Sequence, residues 1–168
     1  MSSSTALAGA FANVANGQRL NTTDGAGSFV VSYGSAKLND DATAANEVVL
    51  SDFQVNATVT AAPTRIREGQ SATYTVSLGA TASQNVKVNF AMSGTATLGT
   101  DYTLTGAQIS GNRGKVTIAA GQSSATVTLT AISDGITESS ETAIMTLSSG
   151  SGYAVGNPKK ATVRISDP

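Results

Sequence analysis

The sequence predicts an all-β protein, with a sandwich of about seven strands over residues 57–168 and a strand-containing extension over residues 1–56. Three observations predict it. From residue 57 onward, apolar and polar residues alternate with a period of two in short runs bounded by turn residues, a pattern that puts one face of a strand in a core and the other in water. Ser and Thr supply roughly a quarter of the chain, above common usage, and β-branched Thr suits the half-buried face of a strand. Charged residues make up only 12% of the chain, so the Glu- and Lys-containing mixture that favours long helices is sparse.

The elements follow in order. Ala57, Val59 and Ala61 open the series, and Pro63, which cannot donate to a ladder, marks an edge that bends or switches sheets. Tyr74, Val76 and Leu78 alternate with Thr75 and Ser77; Val86, Val88, Phe90 and Met92 alternate with Lys87, Asn89 and Ala91. A Gly-rich turn from Gly94 to Gly99 leads to a short Tyr102 to Leu104 element, then to Lys115 through Ile118. Ala125, Val127, Leu129 and Ala131 stand against Thr126, Thr128 and Thr130; Ala143, Met145 and Leu147 follow, and Ala161, Val163 and Ile165 close the series. With the short elements merged, this is the strand count and spacing of an immunoglobulin-like sandwich.

The extension reads differently. Three weaker β segments, Gln18 to Asn21, Ser28 to Tyr33 and Glu47 to Phe53, lie between Gly, Asn and Asp turns. Fewer than about 60 residues with so few large apolar side chains are marginal as an independent unit. The extension is therefore expected to lean on the sandwich or on a neighbour.

Charge and residue usage narrow the function. The net charge is −1, with five acids and two bases in residues 1–56 against six acids and eight bases in residues 57–168. No cluster of Lys and Arg stands along the chain, so nucleic acid is not expected as a partner. The absence of Cys leaves no disulfide or thiolate site. The absence of His removes the commonest general base and transition-metal ligand. No apolar run approaches the 18 or so residues that span a bilayer, and Ala6 to Ala15 lacks a basic flank, so a mature or excised segment with no membrane insertion is expected.

Three stretches, in order, resemble the Calx-beta family, immunoglobulin-like modules of sodium/calcium exchangers, integrin subunits and large bacterial surface proteins. The first is Arg67-Glu68-Gly69 ahead of the strand at Ala72. The second is Val86 to Phe90 followed by Ser93-Gly94-Thr95-Ala96 and Gly99-Thr100-Asp101-Tyr102. The third is Val116 to Gln122, then Ala125 to Ile132, then Asp134, Glu138 and Glu141-Thr142. A shorter resemblance covers roughly residues 9–53, where "GAFANVANGQRLNTTDGAGSFVVSYG" and "NEVVLSDF" are similar to the last rungs of β-helical, autotransporter-like bacterial surface proteins. Together they imply an extracellular or cell-surface location.

The family resemblance implies one weak calcium site. Calx-beta modules that bind calcium gather acids from loops at one end of the sandwich, and the matching positions are Glu68, Asp101, Asp134, Glu138 and Asp167. Ser133-Asp134, Glu138-Ser139-Ser140-Glu141 and Ser166-Asp167-Pro168 each stand where calcium-binding members carry more carboxylates, which lowers ligand count and site charge. The other reading makes Asp101 and Asp134 turn formers that accept backbone hydrogen bonds, and Glu138 a solvated loop acid.

Catalysis is not expected. Glu138 and Glu141 are the one carboxylate pair available for glycosidase chemistry, yet positions three apart on an extended strand point to opposite faces. Tyr74, Phe90, Tyr102 and Tyr153 read as core filling and not as a stacking platform. Lys159-Lys160 reads as edge protection, and Asn21-Thr22-Thr23 and Asn56-Ala57-Thr58 as chance glycosylation triplets. The expected function is a non-enzymatic extracellular structural or adhesive module. The alternative is a filament subunit whose N-terminal strands add to the next copy, head to tail.

Overall fold

The computed structural model describes residues 18–21, 26–33 and 48–167. The chain forms two units, one from Met1–Leu20 and Phe29–Phe53, the other from Asn21–Ser28 and Gln54–Pro168. Asp24, Asp40, Asp41 and Glu47, most of the acidic excess of the extension, lie outside the described residues, as do Thr22 and Thr23 of the first glycosylation triplet.

In the N-terminal part, β1 (Arg19–Asn21) and β2 (Gly27–Tyr33) fall on two of the three expected segments. The third, at Glu47 to Phe53, is the first half of β3 (Val48–Ala62). In the first unit the Val31 amide donates to the Gln18 carbonyl at 3.0 Å. Residues 26–28 belong to the sandwich unit: the Asn56 amide donates to the Ala26 carbonyl at 3.1 Å, and Asn56 Nδ2 to the Gly27 carbonyl at 3.4 Å. Gly79 is required here, because a Cβ would sit 2.1 Å from the Ala26 oxygen. Asn56 is only 6% exposed, which removes the second glycosylation triplet as an acceptor.

The sandwich continues through β4 (Arg65–Arg67), β5 (Ser71–Leu78), β6 (Val86–Gly94), β7 (Tyr102–Thr105) and β8 (Gln108–Ser110). It is completed by β9 (Arg113–Ile118), β10 (Ser124–Ala131), β11 (Glu141–Ser148), β12 (Tyr153–Val155) and β13 (Lys160–Ser166). The long strands β3, β5, β6, β9, β10, β11 and β13 are the seven expected from the alternation, and β4, β7, β8 and β12 add short edges of three or four residues. One sheet of this unit runs β3-β5-β10-β7, with β12 beside β3; the other runs β4-β13-β11-β6-β9-β8. The chain crosses from the first sheet to the second between β3 and β4, at Pro63, as that proline suggested.

The inward positions are those the alternation selects. Tyr74, Val76, Val88, Phe90, Val127, Leu129, Met145 and Val163 are all buried in one core, each contributing about 1.5–3 kcal/mol by leaving water. Tyr74 crosses this core: its hydroxyl donates to the Ala143 carbonyl of the opposite sheet at 2.7 Å, and burial pushes its titration far above the ordinary range. The Tyr153 hydroxyl donates to the Ser148 carbonyl at 2.5 Å and accepts from the Asn89 amide at 2.9 Å. The four aromatic positions weighed from sequence, Tyr74, Phe90, Tyr102 and Tyr153, are core residues.

Candidate functional site

At the end of the sandwich where β4, β6, β10 and β13 finish and β11 begins, the loops collect acids. Glu68 sits in the turn after β4, and the turn is pinned to its neighbours: the Glu68 amide donates to the Ser166 carbonyl and the Gly69 amide to the Ala131 carbonyl. Asp101 closes the β6–β7 turn. The Asp101 amide donates to the Thr97 carbonyl, its Oδ2 accepts from the Thr97 amide at 2.5 Å, and its carbonyl accepts from the Ile132 amide. The same turn is tied to β11 by the Ala96 amide donating to the Thr142 carbonyl at 3.0 Å, which brings Asp101 beside Glu141.

The remaining acids come from the β10–β11 loop and from the residue after β13. Asp134 Oδ1 accepts from the Ile136 amide at 2.8 Å, and Asp167 Oδ2 accepts from the Glu138 amide at 2.6 Å. Asp101 and Asp134 are therefore turn formers, as one reading held, whereas Asp167 ties the C-terminal end to the β10–β11 loop. Each uses a single carboxylate oxygen for that bond, which leaves the other oxygen for a ligand. The two readings of these aspartates describe different atoms of the same groups.

Of the five expected acids, Asp101 and Glu138 come together with Glu141, while Glu68, Asp134 and Asp167 lie within electrostatic reach of one another but outside that group. Glu68 titrates above its ordinary value through desolvation and then through the charges of Asp167, Asp134, Glu138 and Asp101, so all five share one electrostatic neighbourhood. Asp101, Glu138 and Glu141 each offer a carboxylate oxygen within 4.8 Å of the others. Glu141 is raised by desolvation, by the charge of Asp101 and a hydrogen bond to it, and by Glu138. Like charges held this close favour a proton or a cation among them.

Two sequence expectations are corrected. Glu138 and Glu141 do converge, because the chain from 133 to 140 is a loop and the strand begins only at Glu141, so the alternation rule for extended chain does not govern the pair. Glu141 thereby joins the candidate ligands, and the Glu141-Thr142 pair within the third resembling stretch was the signal that marked it. The acids occupy an exposed loop end, and two grooves of the sandwich around Asn89 and Lys115 are lined by none of them.

The donor set fits a hard divalent cation. Its three grouped members, Asp101, Glu138 and Glu141, offer carboxylate oxygens and no nitrogen or sulfur donor. Calcium tolerates six to eight oxygens in irregular geometry, which suits acids contributed by separate loops.

Fold and site together define a β-sandwich module with an acidic loop end. The Calx-beta domain model matches residues 51–168, and the chain belongs to that family. No curated protein matches the chain. Among solved structures, the apo form of the Calx CBD1 domain is 21% identical with a TM-score of 0.52, over 68% of this chain and 98% of that one. CBD12 from CALX1.2 is 20% identical with a TM-score of 0.53, over 67% of this chain; the match spans 45% of that chain, under half of its length. These likenesses show the fold. The family match begins at residue 51, so the β-helical resemblance of residues 9–53 has no support here.

Proposed function

We propose that the sandwich is a non-catalytic, calcium-responsive module of an extracellular or cell-surface protein. The observation that carries the reading is the grouping of Asp101, Glu138 and Glu141 at an end that also holds Glu68, Asp134 and Asp167, with Glu68 and Glu141 both held above their ordinary titration range by desolvation and then by neighbouring carboxylates. A bound cation would relieve that repulsion and cross-link the turns after β4 and β6, the β10–β11 loop and the C-terminal end of β13. The module would then stiffen, as a spacer or adhesive segment requires. The Asn56 amide donating to the Ala26 carbonyl of the same chain is what favours a self-contained module over a subunit that donates its N-terminal strands.

Isothermal titration of the full chain with calcium tests the reading. The expected result is a saturable signal with a Kd of about 10⁻⁴–10⁻³ M, lost in Asp134→Ala and in Glu141→Gln. A flat titration at millimolar calcium would end it. Light scattering over a wide concentration range should show a monomer with and without calcium, whereas concentration-dependent growth would favour the filament.

A further inference from the structure

We infer that the outer face of the β4-β13-β11-β6-β9-β8 sheet is a docking surface for a linear acidic polysaccharide, one carrying uronate carboxylates or sulfate esters. This goes beyond the calcium reading and rests on other residues. Register decides which side chains share that face. Asn89 pairs with Lys115 and Ala91 with Arg113 across β6 and β9; Thr146 pairs with Ala91 and with Lys160 across β11; Arg164 pairs with Arg65 across β13 and β4. Val88, Phe90, Met145, Leu147, Val163 and Ile165 point the other way into the core, so the alternating set faces outward.

Two groups of cations result. Lys87, Arg113 and Lys115 stand on β6 and β9, and Arg65, Arg67, Lys160 and Arg164 on β4 and β13; all seven are exposed. Among the described side chains no acid shares this face, since the six acids of the sandwich lie at its loop end. Arg113, Ala91, Thr146 and Lys160 form one row across four strands, which places the two cations about 14 Å apart at the usual strand spacing. Between them the floor is small and uncharged: Ala91, Thr146, Asn89 and Ser148. Two grooves, of about 620 and 330 Å³, meet at Asn89 and Lys115; the larger takes in Gln108, Ser110 and Ser148 and also the apolar Phe90 and Ile109 beside Gly114. Hydroxyl and amide groups flanked by Arg and Lys suit a chain that presents both hydroxyls and regularly repeated anions.

The other sheet shows that the charge is not a general habit of this fold. Its outer rows, Thr60-Thr75-Thr126 and Thr58-Ser77-Ser124, are neutral. Edge protection accounts for Arg65 but not for Lys87 on the interior strand β6. Nucleic acid is the lesser fit, because Tyr74, Phe90, Tyr102 and Tyr153 are all buried and leave no aromatic from this unit to stack a base. A second copy is also the lesser fit: the six acids of its sandwich are gathered at one compact end, whereas these cations stand in two groups across the sheet.

The test uses the full chain in EDTA, so that calcium bridging plays no part, against polygalacturonate, dextran sulfate, neutral dextran and duplex DNA. Binding to polygalacturonate, dextran sulfate or both is expected, with none to neutral dextran, and which of the two binds tells carboxylate from sulfate. Affinity should fall by at least about tenfold between about 50 and 200 mM salt. Arg113→Gln with Lys115→Gln should weaken binding about fivefold or more, as should the independent pair Lys160→Gln with Arg164→Gln. Thr60→Glu with Thr126→Glu, which changes net charge by the same amount on the other sheet, should leave it unchanged. Equal losses in all pairs, failure to bind either acidic polysaccharide, or equal binding to DNA would overturn the proposal.

Discussion

The loop end and the outer face of the second sheet have opposite charge, and neither is written as a run in the sequence. The acids come from turns and loops, where Asp and Glu side chains also satisfy backbone amides. The bases come from outward positions of β4, β6, β9 and β13, each alternating with a core residue. A body of six acids and eight bases looks nearly neutral in composition, yet the fold sorts it into an acidic end and a basic face. The comparison teaches that net charge says little about partners when a sheet can collect charge every second residue from distant strands.

The largest way to break the comparison is Gly94→Ala. Gly94 has φ +122°, and a Cβ there would lie 2.0 Å from the Thr142 oxygen, so both strain and backbone collision oppose the change. Urea unfolding should show a loss of about 3 kcal/mol. The acidic end should suffer first, because this approach sets the turn of Asp101 against Glu141, and the calcium signal should vanish while polyanion binding persists in the folded fraction. A smaller effect is expected from Tyr74→Phe, which removes the hydroxyl that donates to the Ala143 carbonyl in the core. It should cost about 1–2 kcal/mol and leave both surfaces functional, because the core supports them equally; selective loss of one by binding assay would show that the two are coupled.

The smallest effect is the pH dependence. Glu68 and Glu141 titrate higher in the folded chain than the ordinary value of 4.5, so the folded state binds more protons than the unfolded one from about that pH up to the raised values. Stability therefore falls as pH rises through that window, and is recovered as pH drops. Thermal melts of the calcium-free protein should show this slope, and calcium should flatten it.

Much of this was legible in the sequence, for stated reasons. The seven long strands were readable because each has one buried face, which enforces the alternation seen at Val86 to Met92 and Ala125 to Ala131. β8 was not, since Gln108, Ile109 and Ser110 are all exposed and carry no alternation. Glu68, Asp101, Asp134, Glu138 and Asp167 were picked as candidates through motif order and not through spacing, because they are spread over residues 68 to 167 on separate turns and loops. Glu141 was missed as a ligand because strand geometry was applied to a loop. The basic face was invisible because its seven cations span residues 65 to 164, and only strand register places them on one surface.

The most direct test of the acidic end is a carboxyl NMR titration of Glu68 and Glu141 with and without calcium. The account predicts that both titrate above the ordinary glutamate value without calcium and fall below it in saturating millimolar calcium, as repulsion gives way to coordination. Titrations that stay in place when calcium is added would contradict it.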